Sequence, residues 1–356
     1  MAAPKFQSQK DSFHAELKRR INAYFEEEGI STTGNYKLYT KAIILTLGLF
    51  LIYTHLVFFT PDSAWLAIAE CVILGVITAG IGFNVVHDGS HGSFSKVKKL
   101  NEIAGLFLNL LGANEFMWNT KHNVIHHAYT NIDGIDDDLD AGPLLRLCET
   151  QKLRSFHRFQ HFYFWVAYSM LFFYWVFFSD YQKYFAKRVG AMPLKKMKSS
   201  DHVSFWAFKA FHIVFFAILP IYTVGVWPWA LGFLAYGLVV GFVMSIVFQL
   251  AHTVRETHFP VASATTNKME DEWAIHQLKT TANFATNNWL ITWFSGGLNF
   301  QVEHHLFPKI SHVHYPALSK IVAEACAEFN ITYHNIPKMR MAVASHVSHL
   351  KQLSRA

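Results

Sequence analysis

The chain has 356 residues, of which 52% are apolar, 16% aromatic and only 16% charged. That balance is greasier than an ordinary soluble domain of this length and points to the membrane. A net charge of +6 does not argue for nucleic acid, because the lysines and arginines sit beside apolar runs. The three cysteines, Cys71, Cys148 and Cys326, are scattered without a CxxC pair, so no disulfide framework is implied.

In chain order, residues 1–40 are charged, with no apolar stretch before residue 41, and are not expected to be a cleaved signal peptide. They form a cytoplasmic N-terminal segment ahead of a single unit over 41–356. Crossing about 30 Å of hydrocarbon takes roughly 20 helical residues. Runs 41–60, 64–86, 205–226 and 229–251 meet that length. Lys18, Arg19, Arg20, Lys37 and Lys41 precede the first run, and Lys96, Lys98 and Lys99 follow the second. Lys187, Arg188, Lys195, Lys196 and Lys198 precede the third, while the tight turns TPDS (60–63) and VWP (226–228) carry no cation. The positive-inside rule therefore puts both termini and the long middle segment in the cytoplasm. The expected fold is an all-α, multi-pass membrane protein: four transmembrane helices in two hairpins under a cytoplasmic helical cap. Run 162–178 (FYFWVAYSMLFFYWVFF) is short for a span, and a fifth crossing would break the parity, so it is read as interfacial or re-entrant. AGLFLNLLGA at 104–113 is too short to cross and reads the same way.

The chain carries 21 histidines, and their positions matter more than their number. His87 and His91 in HDGSH lie at i, i+4, on one helical face, where the second run leaves the membrane. His122, His126 and His127 in HNVIHH present two nitrogens on one face and a third beside them. His304 and His305 in QVEHH follow Gln301 by one turn. His252 is a separate candidate, just past the fourth run. A lone HxxxH is a weak signal, but three clusters on one membrane face are more than the four ligands of one zinc site need. Imidazole-rich donors with few carboxylates suit a transition metal rather than Mg or Ca, and two ions are the economical reading.

Asp88, Glu303 and the acidic run NIDGIDDDLD (131–140) can orient such ligands. His14, His346 and His349 read as solvated, and His55 and His212, within runs, as hydrogen-bonded neutral residues. His312 and His314 read as supporting or structural, and His276 as a residue near the site. No GxGxxG, GxxxxGK[ST] or GxSxG appears in a helix-opening context.

HDGSH, HNVIHH and QVEHH, placed as they are relative to the four runs, resemble the three histidine boxes of membrane fatty acid desaturases over roughly residues 65–335. LNFQVEHHLFPKISHVHYP is similar to the third box of the front-end branch, the linoleoyl-CoA or delta-6 type, in which Gln is usual at the first position. The resemblance implies a non-haem diiron centre on His87, His91, His122, His126, His127, His304 and His305, with His252 as the extra ligand after the fourth span. Gln301 would be a weak ligand or a hydrogen-bonding group in the catalytic site. The implied reaction uses molecular oxygen to place a cis double bond in a fatty acyl chain carried by CoA or a lipid. The fused cytochrome b5 domain common in the branch, with its HPGG motif, is not found. Electrons are then expected from a separate ferredoxin, or from cytochrome b5 with its reductase, steered by the basic cytoplasmic surface. The same boxes also serve diiron hydroxylases and ketolases of alkyl or carotenoid substrates. A haem carrier or metal transporter would need its polar groups inside the spans.

Overall fold

The computed structural model describes residues 3–7 and 12–355. The chain is mostly helical. Ser12 caps α1 (Phe13–Glu27) with its Oγ on the Ala15 amide, and Phe13, Leu17, Ile21 and Phe25 form its buried stripe. Helix α2 (Tyr36–Phe58) is capped by Asn35, and α3 (Ala64–His91) by Ser63. Short amphipathic α4 (Lys98–Leu110) follows, then α5 over 115–129. Helices α6 (Ser155–Ser169) and α7 (Leu171–Ala186) are bent by 56° at Met170. Next come α8 (Ser199–Val224), α9 (Val226–His252), α10 (Trp273–Thr280), α11 (Trp289–Phe294), α12 (Gln301–Leu306), α13 (Tyr315–Glu328) and α14 (Met339–Leu353).

Helices α2, α3, α8 and α9 are long and apolar enough to cross a membrane. Each overruns its apolar window, because capping residues and the polar ends beyond the window continue the same helix. The consequential overrun is in α3. It continues through a π turn at Gly82–Val86 and delivers His87 and His91 on its last turn. The two halves of the α6–α7 pair have 15 and 16 residues, and at 1.5 Å per residue each spans about 24 Å, short of a bilayer core.

Helix α9 is the central post, packed against α3 on one side and against α6 and α7 on the other. Its glycines permit this: a Cβ on Gly241 would overlap the Ser169 carbonyl at the bend, and one on Gly237 would overlap the Phe173 ring. A second core joins α1, α10, α12 and α13 through Leu17, Leu278, Val302, Leu318 and Val322. The outer strand Lys5–Gln7 pairs in parallel with Lys268–Glu272. Helix α4 buries Ala104, Gly105 and Leu108 while Leu100, Ile103 and Leu106 stay exposed, as suits a helix lying on a membrane surface.

The glycine of HDGSH has a packing reason. A Cβ at Gly89 would lie 2.6 Å from the Ala104 Cβ and 2.7 Å from the Gly105 nitrogen, so α3 approaches α4 backbone to backbone. Gly89→Val is expected to cost about 1–3 kcal/mol by overpacking. The thermal unfolding midpoint in detergent should fall; an unchanged midpoint would show that α4 is not clamped there.

Candidate metal centre

Three short segments and the end of α9 bring the histidine boxes together. At the end of α3, the π turn is locked by Asn84, whose Nδ2 donates to the Gly80 and Phe294 carbonyls at 2.8 Å each. The His87 and His91 rings then sit 4.7 Å apart on one face, as the i, i+4 spacing requires. Asp88 turns away from both. Its carboxylate accepts from Ser311 Oγ at 2.7 Å and His312 Nδ1 at 3.0 Å, and His312 Nε2 meets Lys41 Nζ at 2.7 Å. Asp88 therefore ties α3 to α2 and to the loop after the third box, and does not orient a box histidine.

In α5, Thr120–His126 winds as a π turn, and i→i+5 bonding brings residues five apart onto one face. His122 and His127 direct their Nε2 atoms at each other (3.3 Å), and His122 Nε2 also lies 3.2 Å from His87 Nε2. The His126 ring instead lies 4.8 Å from His252 and 4.9 Å from His305. Its Nδ1 donates to Asp136 at 3.0 Å, with Asp138 at 3.3 Å, so the acidic run supplies the orienting carboxylates. Trp118 stacks on His122 at 4.6 Å.

Helix α12 is less than two turns long and wholly buried, and side chains hold it in place. Asn283 Oδ1 accepts from the Val302 amide, its Nδ2 donates to Glu303, and the Tyr333 hydroxyl donates to the other Glu303 oxygen, all at 2.8 Å. Glu303 thus anchors the helix and supports no neighbouring histidine directly. His304 Nδ1 faces the Tyr315 hydroxyl at 3.1 Å, and His305 Nδ1 donates to Gln277 Oε1 at 2.9 Å. His252 Nδ1 donates to the Thr280 carbonyl at 3.3 Å, and its Nε2 lies 3.1 Å from the Gln301 amide.

The donor atoms fall into groups spanning no more than 4.8 Å: His87, His91, His122 and His304; His126, His252 and His305; His127 with His304 and His305; and His122 and His126 with Asp138. Buried polar atoms are normally paired, at a cost of about 1–3 kcal/mol when they are not. Here Nε2 of His91, His126, His304 and His305, and Oε1 of Gln301, have no hydrogen-bond partner among the described residues. Burial, and then the neighbouring imidazoles, hold His122, His127, His304 and His305 well below the usual histidine range, so they are neutral with a free lone pair. Burial opposes protonation of His126 too, but Asp136 and Asp138 outweigh it and raise that residue. Converging, unpartnered imidazole nitrogens fit borderline transition-metal ions such as iron.

A cavity of about 650 Å³ reaches His122, His126 and His252; Trp118, Tyr168, Leu171, Met244 and Phe248 give it an apolar wall, and Lys121, Asp136, Asp137 and Asp138 a charged one. The apolar wall suits a hydrocarbon chain.

The remaining histidines sort by what they touch. His276, fully buried, donates to the Thr130 carbonyl at 2.8 Å beside the site, and Thr130 Oγ1 in turn contacts Gln277 at 2.9 Å. His314 reaches the Thr33 carbonyl, and His55 pairs with Glu70 at 2.8 Å, while His212 stacks on Phe216. His346 and His349 are not solvated: α14 packs against α6 and α9, His346 bridges Thr253 and Tyr168, and His349 reaches the Leu147 carbonyl. His14 is half-buried against Trp273. Tyr315, Gln277 and Thr130 had no spacing signal; Trp118, one helical turn before His122, stood in the aromatic lead-in to the second box.

Burial pushes the Glu303 carboxyl up to about 7, against its bonds from Tyr333 and Asn283. The folded protein therefore keeps this proton where the unfolded chain has lost it, and stability declines as pH rises from 4.5 to about 7. Glu303→Gln is expected to flatten that decline in the thermal midpoint; parallel curves for variant and wild type would contradict it.

The family profile described as fatty acid desaturase matches residues 63–337. The sn-1 linoleoyl-lipid 6-desaturase of Arthrospira platensis is 37% identical over 344 residues, covering 96% of this chain and 92% of that protein. The sn-1 linoleoyl-lipid 6-desaturase of Synechocystis sp. is 35% identical, covering 98% and 97%. The acyl-lipid (8-3)-desaturase of Physcomitrium patens is 33% identical, covering 97% of this chain and 72% of its own length. With four helices long and apolar enough to cross a membrane, and three histidine boxes gathered in one cluster, the chain is an integral membrane protein that belongs to the fatty acid desaturase family.

Proposed function

We propose that this protein is an oxygen-dependent fatty acyl desaturase of the front-end kind, placing a cis double bond in an acyl chain carried by a lipid or by CoA. The observation that carries the reading is the set of converging, unpartnered imidazole nitrogens, with His122, His126 and His252 lining the adjoining cavity. The names of the relatives and the Gln301 of the third box support desaturation in particular.

In this reading His87, His91, His122 and His304 would hold one iron and His126, His252 and His305 the other, with His127 as a further ligand beside His304 and His305. When bound, the two irons and molecular oxygen supply the oxidising chemistry that removes two hydrogens from adjacent methylenes and releases water. The protein's own contribution is positional. Asp136, Gln277, Tyr315 and the Thr280 carbonyl fix the rings of His126, His305, His304 and His252, leaving Nε2 of each toward the centre. Trp118 backs His122 and, with Phe248 and Met244, gives the chain an apolar wall that excludes water. Gln301 offers an amide beside His252 where a further imidazole would bind outright.

The membrane arrangement follows from the charge pattern. Helices α2–α3 and α8–α9 form two hairpins, with α6–α7 re-entrant between them. Residues 1–40 and the body of the desaturase domain outside the spans form the cytoplasmic cap, so the centre and both termini face the cytoplasm. A separate ferredoxin, or cytochrome b5 with its reductase, supplies electrons.

His126→Ala is expected to abolish the new double bond while membrane insertion persists, since the residue supports no span. Gas chromatography with mass spectrometry of fatty acids from an expressing host reads this directly. Wild-type levels of product in the variant would refute the site, and a hydroxylated product without a double bond would move the protein to the hydroxylase or ketolase class.

A further inference from the structure

Helix α14 has two sides of opposite character. Its inner side buries Ala342, His346, His349, Leu350 and Leu353. His346 Nδ1 donates to the Thr253 carbonyl at 2.7 Å, the Tyr168 hydroxyl donates to His346 Nε2 at 2.9 Å, and Thr253 directly follows His252 in the chain. One hydrogen bond and one residue of backbone therefore join the inner side of α14 to the metal centre. The outer side is exposed and basic: Arg340, Ala344, Lys351 and Arg355 recur at helical spacing on one face. Exposed Lys338 stands just before the helix, and Arg255 Nη1 donates to Ser348 Oγ at 3.4 Å beside that face. Residues 329–356 hold four Lys and Arg and no Asp or Glu. Among the described residues no ion pair engages Lys338, Arg340, Lys351 or Arg355. The carboxylates close by, Glu149 and Glu256, are felt by His349 on the inner side, and Glu256 accepts from Ser345 Oγ.

We infer that the outer face of α14 is the docking surface for a small acidic protein that carries one electron at a time. This deepens the desaturase reading and rests on it. A row of cations without carboxylate partners complements an acidic partner, and such charge speeds encounter and sets orientation more than it tightens the complex. That suits a carrier that must leave after each delivery. A carrier on this face stands one helix, about 10–12 Å, from His346 and its link to His252. Each reduced carrier gives up one electron, so two serve one double bond; with two protons and the two substrate hydrogens they reduce one dioxygen to two waters. Lipid is the poorer occupant. Met341 is the one large apolar side chain exposed on α14, whereas α4, behind the cations at 96–99, exposes Leu100, Ile103 and Leu106.

The test uses the full-length, metal-loaded protein in phosphatidylcholine nanodiscs, with an acidic plant-type ferredoxin as the probe. Carbodiimide cross-linking and peptide mass spectrometry should join ferredoxin carboxylates to Lys338 and Lys351. The Kd for ferredoxin should rise about tenfold or more when Arg340→Glu, Lys351→Glu and Arg355→Glu are combined, and added salt should weaken binding to the wild type more than to this variant. Lys351→Gln, a single exposed change that serves if the triple variant does not fold, should raise Kd about threefold. Cross-links confined to the lysines of 187–198, or an unchanged Kd in the variants, would overturn the surface. So would protection of α14 from deuterium exchange by phosphatidylglycerol with none from ferredoxin, which would assign the face to anionic lipid. Ferredoxin docked on α14 without any new double bond, given reductant, oxygen and acyl lipid, would leave the surface standing and refute the desaturase reading. Ferredoxin-driven double bonds with Kd unchanged in the variants would do the reverse.

Discussion

Eight imidazoles gathered in one cluster, seven of them buried and His91 partly so, are the constraint on which the rest of this structure depends. Each neutral ring brings one N–H and one lone pair into a medium where neither is solvated, and like rings cannot satisfy one another's lone pairs. The outer nitrogens are answered one by one: Asp136 for His126, Gln277 for His305, Tyr315 for His304 and a backbone carbonyl for His252. The inner nitrogens are left pointing at common space, several without any partner among the described residues. Such a cluster is costly by itself and becomes favourable only when cations take the lone pairs. The long overrun of α3, the π turn of α5 and the short buried α12 are all means of bringing those nitrogens together.

Much of this was legible in the sequence, because the two periodic signals are strong. Runs of about 20 apolar residues announced the four long helices, and HDGSH, HNVIHH and QVEHH announced the donors. What spacing misjudged came from local backbone and from long-range contacts. The π turn at 120–126 sets His127 Nε2 against His122 and sends the His126 ring toward His252 and His305, a division that the spacing alone leaves open. Asp88 and Glu303 looked like partners of the histidines beside them, but their carboxylates face Ser311 with His312, and Asn283 with Tyr333. Their true partners are dozens to hundreds of residues away, beyond the reach of any local pattern. His346 and His349 read as solvated because no long apolar run surrounds them; α14 nonetheless buries Ala342, Leu350 and Leu353 together with both histidines, and His346 bonds Thr253 and Tyr168 while His349 bonds the Leu147 carbonyl.

The apolar surface also has two uses within one chain. On α2, α3, α8 and α9 it meets lipid, and between α9, α5 and the α6–α7 pair it folds inward to wall a cavity that ends on the histidines. Glycines permit the close approaches on both sides: Gly237 and Gly241 let the bent pair lie directly on α9, and Gly89 lets α4 lie directly on α3.

The central claim is that the converging nitrogens hold a pair of irons. Metal analysis of the full-length protein purified without chelator, combined with Mössbauer spectroscopy of iron-57-enriched material, tests it most directly. The account predicts about two irons per chain in a paired non-haem environment rich in nitrogen ligands. A single zinc with no iron, or a haem Soret band, would contradict it.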